Sequence, residues 1–152
     1  MTPILTHKLT RDRLSAIAAL VYNGKQRGRL LVQAQEKTFN SAGVIGFLRH
    51  LLRQFRGKLL VVWDGARIHR NRAVKAFLAS SEGRRLKVES LPGYAPELNP
   101  VEMVWRYLKR VEMRNLRCWD LGHLRGALRQ AIARLRHKKQ VLLGCLRKPG
   151  LT

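Results

Sequence analysis

The spacing of hydrophobic positions changes along the chain, and each change marks an element. Leu14 to Tyr22 is an apolar run that stops at Asn23-Gly24, a pair that favours a tight hairpin turn. Leu30-Leu31-Val32-Gln33-Ala34 supplies the returning strand. From Ser41 the spacing becomes helical. Val44, Ile45, Phe47, Leu48, Leu51, Leu52 and Phe55 share one side, with Arg49, Arg53 and Arg56 on or near the other, a start at Asn40/Ser41 and a stop at Gly57. Leu59-Leu60-Val61-Val62-Trp63 is a continuous apolar run of the kind a central strand shows when both its faces are covered; Asp64-Gly65 ends it. Arg72 to Ala79 reads as a short helix that groups Val74, Phe77 and Leu78. Leu86 to Leu91 alternates like a more exposed strand, and a proline-rich loop spans Pro92 to Pro100. Two further helices follow. One runs from about Pro100 to Val111, with Val101, Val104, Trp105 and Leu108 in phase, and the other from about Leu121 to Arg136, with Leu124, Leu128, Ile132 and Leu135 in phase. Residues 137–152 read as a basic tail. The order predicts an α/β fold in one domain, residues 1–136, with a mixed sheet flanked by helices.

Composition narrows the partner. The 152 residues carry 31 Lys+Arg against 9 Asp+Glu, a formal net charge of +22. Residues 1–60 hold 11 cations and 2 acids, residues 61–100 hold 7 and 4, and residues 101–152 hold 13 and 3, so a nearly balanced middle lies between two basic flanks. Such a surplus drives phosphate-backbone binding through counterion release, whatever the base sequence, and suits RNA as well as DNA; a merely solubilising surface is the plain alternative. A hydrophobic fraction of 45% argues against wholesale disorder. No apolar run approaches a membrane span, and the opening residues lack the pattern of a signal peptide. Cys118 and Cys145, with no CxxC and no Cys/His cluster, point to a reducing compartment and no zinc site.

Two carboxylates are the leading candidates for chemistry. Asp64 follows the most apolar strand, at the edge where open α/β sheets place ligands; Asp-Gly opening a turn is the other explanation. Asn99-Pro100-Val101-Glu102 reads as the cap and first three positions of a helix. Glu102 there either supports the helix start or faces the strand end that carries Asp64. Two convergent carboxylates suit a hard divalent cation such as Mg²⁺, and a pair of such ions can activate water and stabilise the leaving oxygen at a phosphodiester. Arg67, Arg70 and Arg72 are candidate phosphate contacts or solvated charges. His69 contacts phosphate or is an ordinary surface or core histidine, and Glu97 suits a turn better than a ligand role. Trp63, Trp105 and Trp119 read as core or half-buried anchors. No Ser/His/Asp set stands out, and a GxxxxGK[ST] nucleotide loop does not occur.

Leu59 to His69, LLVVWDGARIH, resembles the second-carboxylate strand of DDE-type transposases of the mariner-like insertion-sequence group. Leu91 to Glu102, LPGYAPELNPVE, followed by Trp105 and Lys109, resembles that family's third-carboxylate block. The 38-residue separation of Asp64 and Glu102 is close to the family's. The resemblance covers roughly residues 1–136. It implies an RNase H-like fold and a two-metal site, using Mg²⁺ or Mn²⁺, that cuts and joins DNA at transposon ends. Asp64 and Glu102 then match the second and third metal-binding acids, and Arg67, His69, Arg70, Arg72, Arg106, Lys109 and Arg110 are the expected DNA contacts. Gly65 departs from the Asn often found at that place. A larger departure lies upstream. The family's first acid ends a strand ahead of the hairpin, whereas here Asp12 is the only acid before Glu36 and belongs to a strand's start. The expectation is therefore an N-terminally truncated member whose first strand is missing, which leaves a sheet edge exposed beside Leu14–Tyr22. Such a chain would be inactive alone, located with the nucleoid in the cytoplasm, and able to pair with itself or with a full-length transposase. A non-catalytic DNA-binding remnant is the competing reading. An RNA-binding or ribosome-associated protein fits the composition but leaves the two acid blocks unexplained.

Overall fold

The computed structural model describes residues 4–9, 12–22, 28–63, 71–91, 99–114 and 120–146. Three antiparallel strands, β1 (Ile4–Leu9), β2 (Asp12–Tyr22) and β3 (Gly28–Gln35), lie side by side in that order. β2 is buried on both faces: Leu14, Ala16, Ala18 and Leu20 point to one side, Ile17 and Ala19 to the other. Its alanines carry little bulk, which lets helices approach the sheet from either side. Opposite Ala18 and Leu20 stand Val32 and Leu30 of β3.

On one face lies α1 (Ser41–Gln54), started by Asn40, whose Oδ1 accepts from Gly43 N at 2.9 Å. Val44, Phe47, Leu48 and Leu51 form its buried stripe and pack with Ile17, Ala19 and Leu31. Gly57 takes a φ of +82° where the chain leaves the helix, a left-handed conformation that glycine adopts without strain. The Arg85 side chain then ties this end down. It donates to the carbonyls of Leu52 at 3.0 Å and Gly57 at 2.9 Å, and also to that of Phe55.

A strand–helix–strand unit follows: β4 (Leu59–Trp63), α2 (Arg72–Ala79) and β5 (Leu86–Ser90), with β4 and β5 parallel. Val61, Trp63, Val74, Phe77 and Leu86 join the α1 core. A single 3₁₀ turn, Glu82–Arg85, leads into β5.

The opposite face of β2 and β3 carries α3 (Pro100–Tyr107), α4 (Leu121–His137) and α5 (Lys139–Leu146). Val101, Val104, Trp105, Leu108, Leu124, Leu135 and Leu142 pack there against Leu14, Ala16 and Leu30. Helices on both faces of a mostly β centre give the expected α/β fold.

The structure departs from the sequence reading in three places. A strand does stand ahead of the hairpin. β1 pairs with β2 from Ile4↔Ile17 to Leu9↔Asp12, so that edge of β2 is covered over this length. A neighbour's backbone hydrogen bonds define such a strand, and the mixed run ILTHKL gives little sign of it in side-chain pattern. β4 is not covered on both faces: Leu60 is 62% exposed. Aliphatic residues suit a pleated strand whether or not something lies on top of them, so the apolar run did not require a cover. Residues 139–146, read as part of a basic tail, form α5 and enter the core through Leu142, Leu143 and Cys145. Their helical spacing is short and hidden behind Lys138 and Lys139. The Asn23-Gly24 turn, most of the 92–100 loop, Cys118 and Trp119 lie outside the described residues. No described helix is long and apolar enough to cross a membrane.

Candidate active site

The best-defined part of the site is the start of α3. Asn99 is 1% exposed, and its Oδ1 accepts from Val101 N at 3.1 Å while its carbonyl accepts from Glu102 N at 3.0 Å. Pro100 occupies the first helical position, where its fixed φ suits the helix and its missing N–H costs nothing. Val101, Val104 and Trp105 then anchor α3 in the core beside β2. Glu102 is thus half-buried in the first turn of a helix whose entry is fixed by a cap, a proline and three buried side chains. A carboxylate there also benefits from the positive end of the helix. The Asn99 Nδ2 is buried with no hydrogen-bond partner among the described residues. That is an energetic cost this start tolerates.

β4 leads to the second acid. Trp63, its last residue, is buried in the α1 layer, and its carbonyl accepts from Leu91 N at 2.8 Å where the chain leaves β5. The parallel pairing is therefore held up to the residue preceding Asp64. Asp64 lies outside the described residues, as do Arg67, His69, Arg70 and Glu97. Asp12, set aside as a candidate, stands at the start of β2 opposite Leu9.

The remaining basic candidates are described. Arg72 is exposed at the first position of α2, after Asn71 caps Ala73 N at 2.8 Å. Arg106 lies one turn after Glu102 on the exposed side of α3, and Lys109 and Arg110 continue it, also exposed. These two sit on a widened π-helical turn, Leu108–Glu112, closed by Met113 N donating to Leu108 O at 2.7 Å. Single π turns commonly occur at functional sites.

One acid of consequence escaped the sequence reading. The Glu112 side chain is 4% exposed, and it accepts from Lys138 Nζ at 2.5 Å and Arg134 Nε at 2.7 Å. Arg134 Nη2 also reaches the Glu112 carbonyl at 3.1 Å, and Lys138 Nζ donates to the Tyr107 hydroxyl at 3.1 Å. The bonds from Lys138 and then Arg134 hold the Glu112 carboxyl below the usual carboxylate range, and Glu112 followed by Tyr107 raises Lys138. This clamp fastens the π turn to the end of α4. Its signal was available, since Glu112 is the only acid between Glu102 and Asp120 in a strongly basic stretch.

For a metal, the chemistry of the donors is suitable: a half-buried glutamate, and an aspartate placed by sequence after β4, offer the oxygen ligands that Mg²⁺ and Mn²⁺ prefer. Among the described residues no group of three His, Cys, Asp or Glu gathers.

A model of the DDE superfamily endonuclease family matches residues 2–125, which takes in both acid blocks. The chain belongs to the DDE superfamily endonuclease family. No curated protein matches this DDE-family chain. Among solved structures it is similar to a chain in the cryo-EM structure of the simian T-cell lymphotropic virus intasome in complex with PP2A regulatory subunit B56 gamma. The TM-score is 0.58 at 13% identity, covering 99% of this chain and 54% of that one. At that identity the likeness is one of fold, an RNase H-like architecture. The DDE-family chain spans about half the length of that neighbour.

Proposed function

We propose that this chain is the catalytic-domain portion of a transposase of the mariner-like insertion-sequence group, built for metal-dependent cleavage and strand transfer of DNA at transposon ends. The observation that carries the reading is Glu102, set half-buried on a rigid helix start within a region that matches the DDE endonuclease family. In this reading Asp64 and Glu102 hold Mg²⁺ or Mn²⁺. Metal held there would supply the chemistry that activates an attacking water or hydroxyl and stabilises the leaving oxygen. Arg72, Arg106, Lys109 and Arg110, with Arg67, His69 and Arg70, hold the DNA backbone beside them.

A second reading rests on β1. The strand ahead of the hairpin, Ile4–Leu9, contains no acid, so the site has no first carboxylate from that element. With one ligand short, the chain alone turns over negligibly, and a complete site takes a carboxylate from another segment or another copy. Binding without cleavage, in a homodimer or mixed with a full-length transposase, is then what the isolated chain does. Its place is with the nucleoid DNA of the cytoplasm.

Nicking of supercoiled plasmid tests both readings. The purified chain with Mg²⁺ or Mn²⁺ is expected to bind DNA with a steep salt dependence and to leave the plasmid intact, and Asp64→Asn and Glu102→Gln are expected to bind equally well. Mg²⁺-dependent nicking that disappears in Asp64→Asn would refute the inactivity. A chain that binds no DNA at low salt would refute the DNA-acting reading altogether.

A further inference from the structure

A basic band runs along the outer edge of β3, away from α3. Three adjoining grooves follow one another there. One is lined by Val32 and Ala34 of β3 with Arg125, Arg129 and Arg136 of α4. The next shares Arg136 and adds Arg29 and Lys139. The third shares Arg125 and adds Lys37, at the N-terminal end of α1. Six cations therefore line the band, and Glu36 is the one acid on its rim. The six take no part in the ion pairs of Glu82 and Glu112. Arg136 is held in place by donating to the Leu30 carbonyl at 3.0 Å.

The geometry fits a repeating polyanion. Arg125, Arg129 and Arg136 fall within about 40° of one another around α4 and span about 16 Å of it, given 3.6 residues and 5.4 Å per turn. That length matches about five phosphate steps along one strand of a duplex. No Phe, Tyr or Trp lines the three grooves, and His50 is their one ring, which falls short of the stacking platform that single strands require. The band is also distinct from the flank beside Glu102. α4 separates the two, since Leu124 and Leu128 pack toward Trp105 and Leu108 while the arginines face β3.

We propose that this band grips a second stretch of duplex DNA by its phosphate backbone, apart from the stretch presented to Asp64 and Glu102. The proposal rests on the DNA-acting reading given above. The two DNA surfaces make different contributions. The α3 flank positions the strand to be cut, and the band supplies sequence-independent affinity.

Fluorescence anisotropy with a labelled duplex over a salt series tests it in the intact chain. Arg125→Gln/Arg129→Gln is expected to lower the slope of log affinity against log salt by about 1.8, from about 0.9 per phosphate contact. The loss of affinity between about 50 and 200 mM salt then shrinks about twelve-fold relative to the unmodified chain. Arg29→Gln/Lys139→Gln, on β3 and α5, is expected to do the same and serves should the first pair fail to fold. Lys75→Gln/Arg84→Gln, two exposed cations elsewhere, controls for charge alone and is expected to change the slope by less than half as much. Slopes in both band variants equal to that of the control, or to the unmodified chain, would overturn the proposal, as would tighter binding to a single strand than to the duplex. Loss of the DNA-acting reading looks different: the unmodified chain itself then binds no duplex.

Discussion

Glu112→Gln removes the acid that fastens the π turn to α4, and its cost follows from the contacts. The substitution keeps shape and size but deletes the charge that Lys138 and Arg134 meet at 2.5 and 2.7 Å. Hydrogen bonds to charged groups contribute about 1.5–3 kcal/mol when shielded from water. Here the carboxylate is covered by the arms of two cations that are themselves 41% and 51% exposed, so solvent screens the pairs. Exposed pairs contribute roughly 0.2–1 kcal/mol each, and the shielding of Glu112 places the total at about 1–2 kcal/mol. In a domain of this size that lowers Tm by about 5 °C. The pH dependence has a definite sign. The folded Glu112 pKa lies below its unfolded value, so its contribution is fully present above the ordinary glutamate range and fades as the pH falls through the lowered folded pKa. Thermal unfolding of both proteins from pH 3 to pH 7 reads this directly. The gap between the curves should be widest near neutrality and close in acid. A neutral-pH Tm within 1 °C or so of the unmodified chain, or a gap that widens in acid, would refute the reasoning.

Two further substitutions probe the fold. Gly83→Ala places a Cβ 2.3 Å from the Phe77 carbonyl oxygen and 2.8 Å from Leu78 Cα, contacts with backbone that cannot swing aside. A loss of about 1–3 kcal/mol is expected in chemical denaturation, and an unchanged midpoint would contradict the packing of the 3₁₀ turn on α2. Leu142→Ala is expected to cost about 2–5 kcal/mol because Leu142 is buried in the core with Leu30 and Leu135. A negligible loss would instead return residues 139–146 to a tail.

Where the sequence speaks through periodicity, the fold follows it closely. The apolar stripe of α1 runs through Val44, Phe47, Leu48 and Leu51, the limits of α2 are those expected, and α3 begins where Asn99 and Pro100 mark a start. Elements made by their neighbours were not legible. β1 exists through its pairing with β2, and α5, although five of its eight residues are apolar, is too short to show a helical stripe and is stabilised by the core it enters. The π turn depends on a distant clamp: Glu112 meets cations 22 and 26 residues away, a relation no local pattern encodes. For the site the position is reversed. Asp64 and Glu102 stand out through their blocks in the sequence, and the structure adds how Glu102 is held: a buried cap, a proline and the anchors Val101, Val104 and Trp105. Charge was legible only in total. Composition gave a net +22, while its division between the α3 flank, the β3 band and the Glu112 clamp needed three dimensions.

The central claim is that Asp64 and Glu102 together hold a divalent metal ion, and Mn²⁺ binding followed by electron paramagnetic resonance in the presence of a short duplex tests it most directly. The unmodified chain should take up Mn²⁺, and Asp64→Asn and Glu102→Gln should each weaken that uptake by tenfold or more while both variants keep their fold and their DNA affinity; that loss is about 1.4 kcal/mol or more of binding free energy. Equal Mn²⁺ uptake by all three proteins would contradict the claim and leave Glu102 as no more than the first-turn acid of a helix.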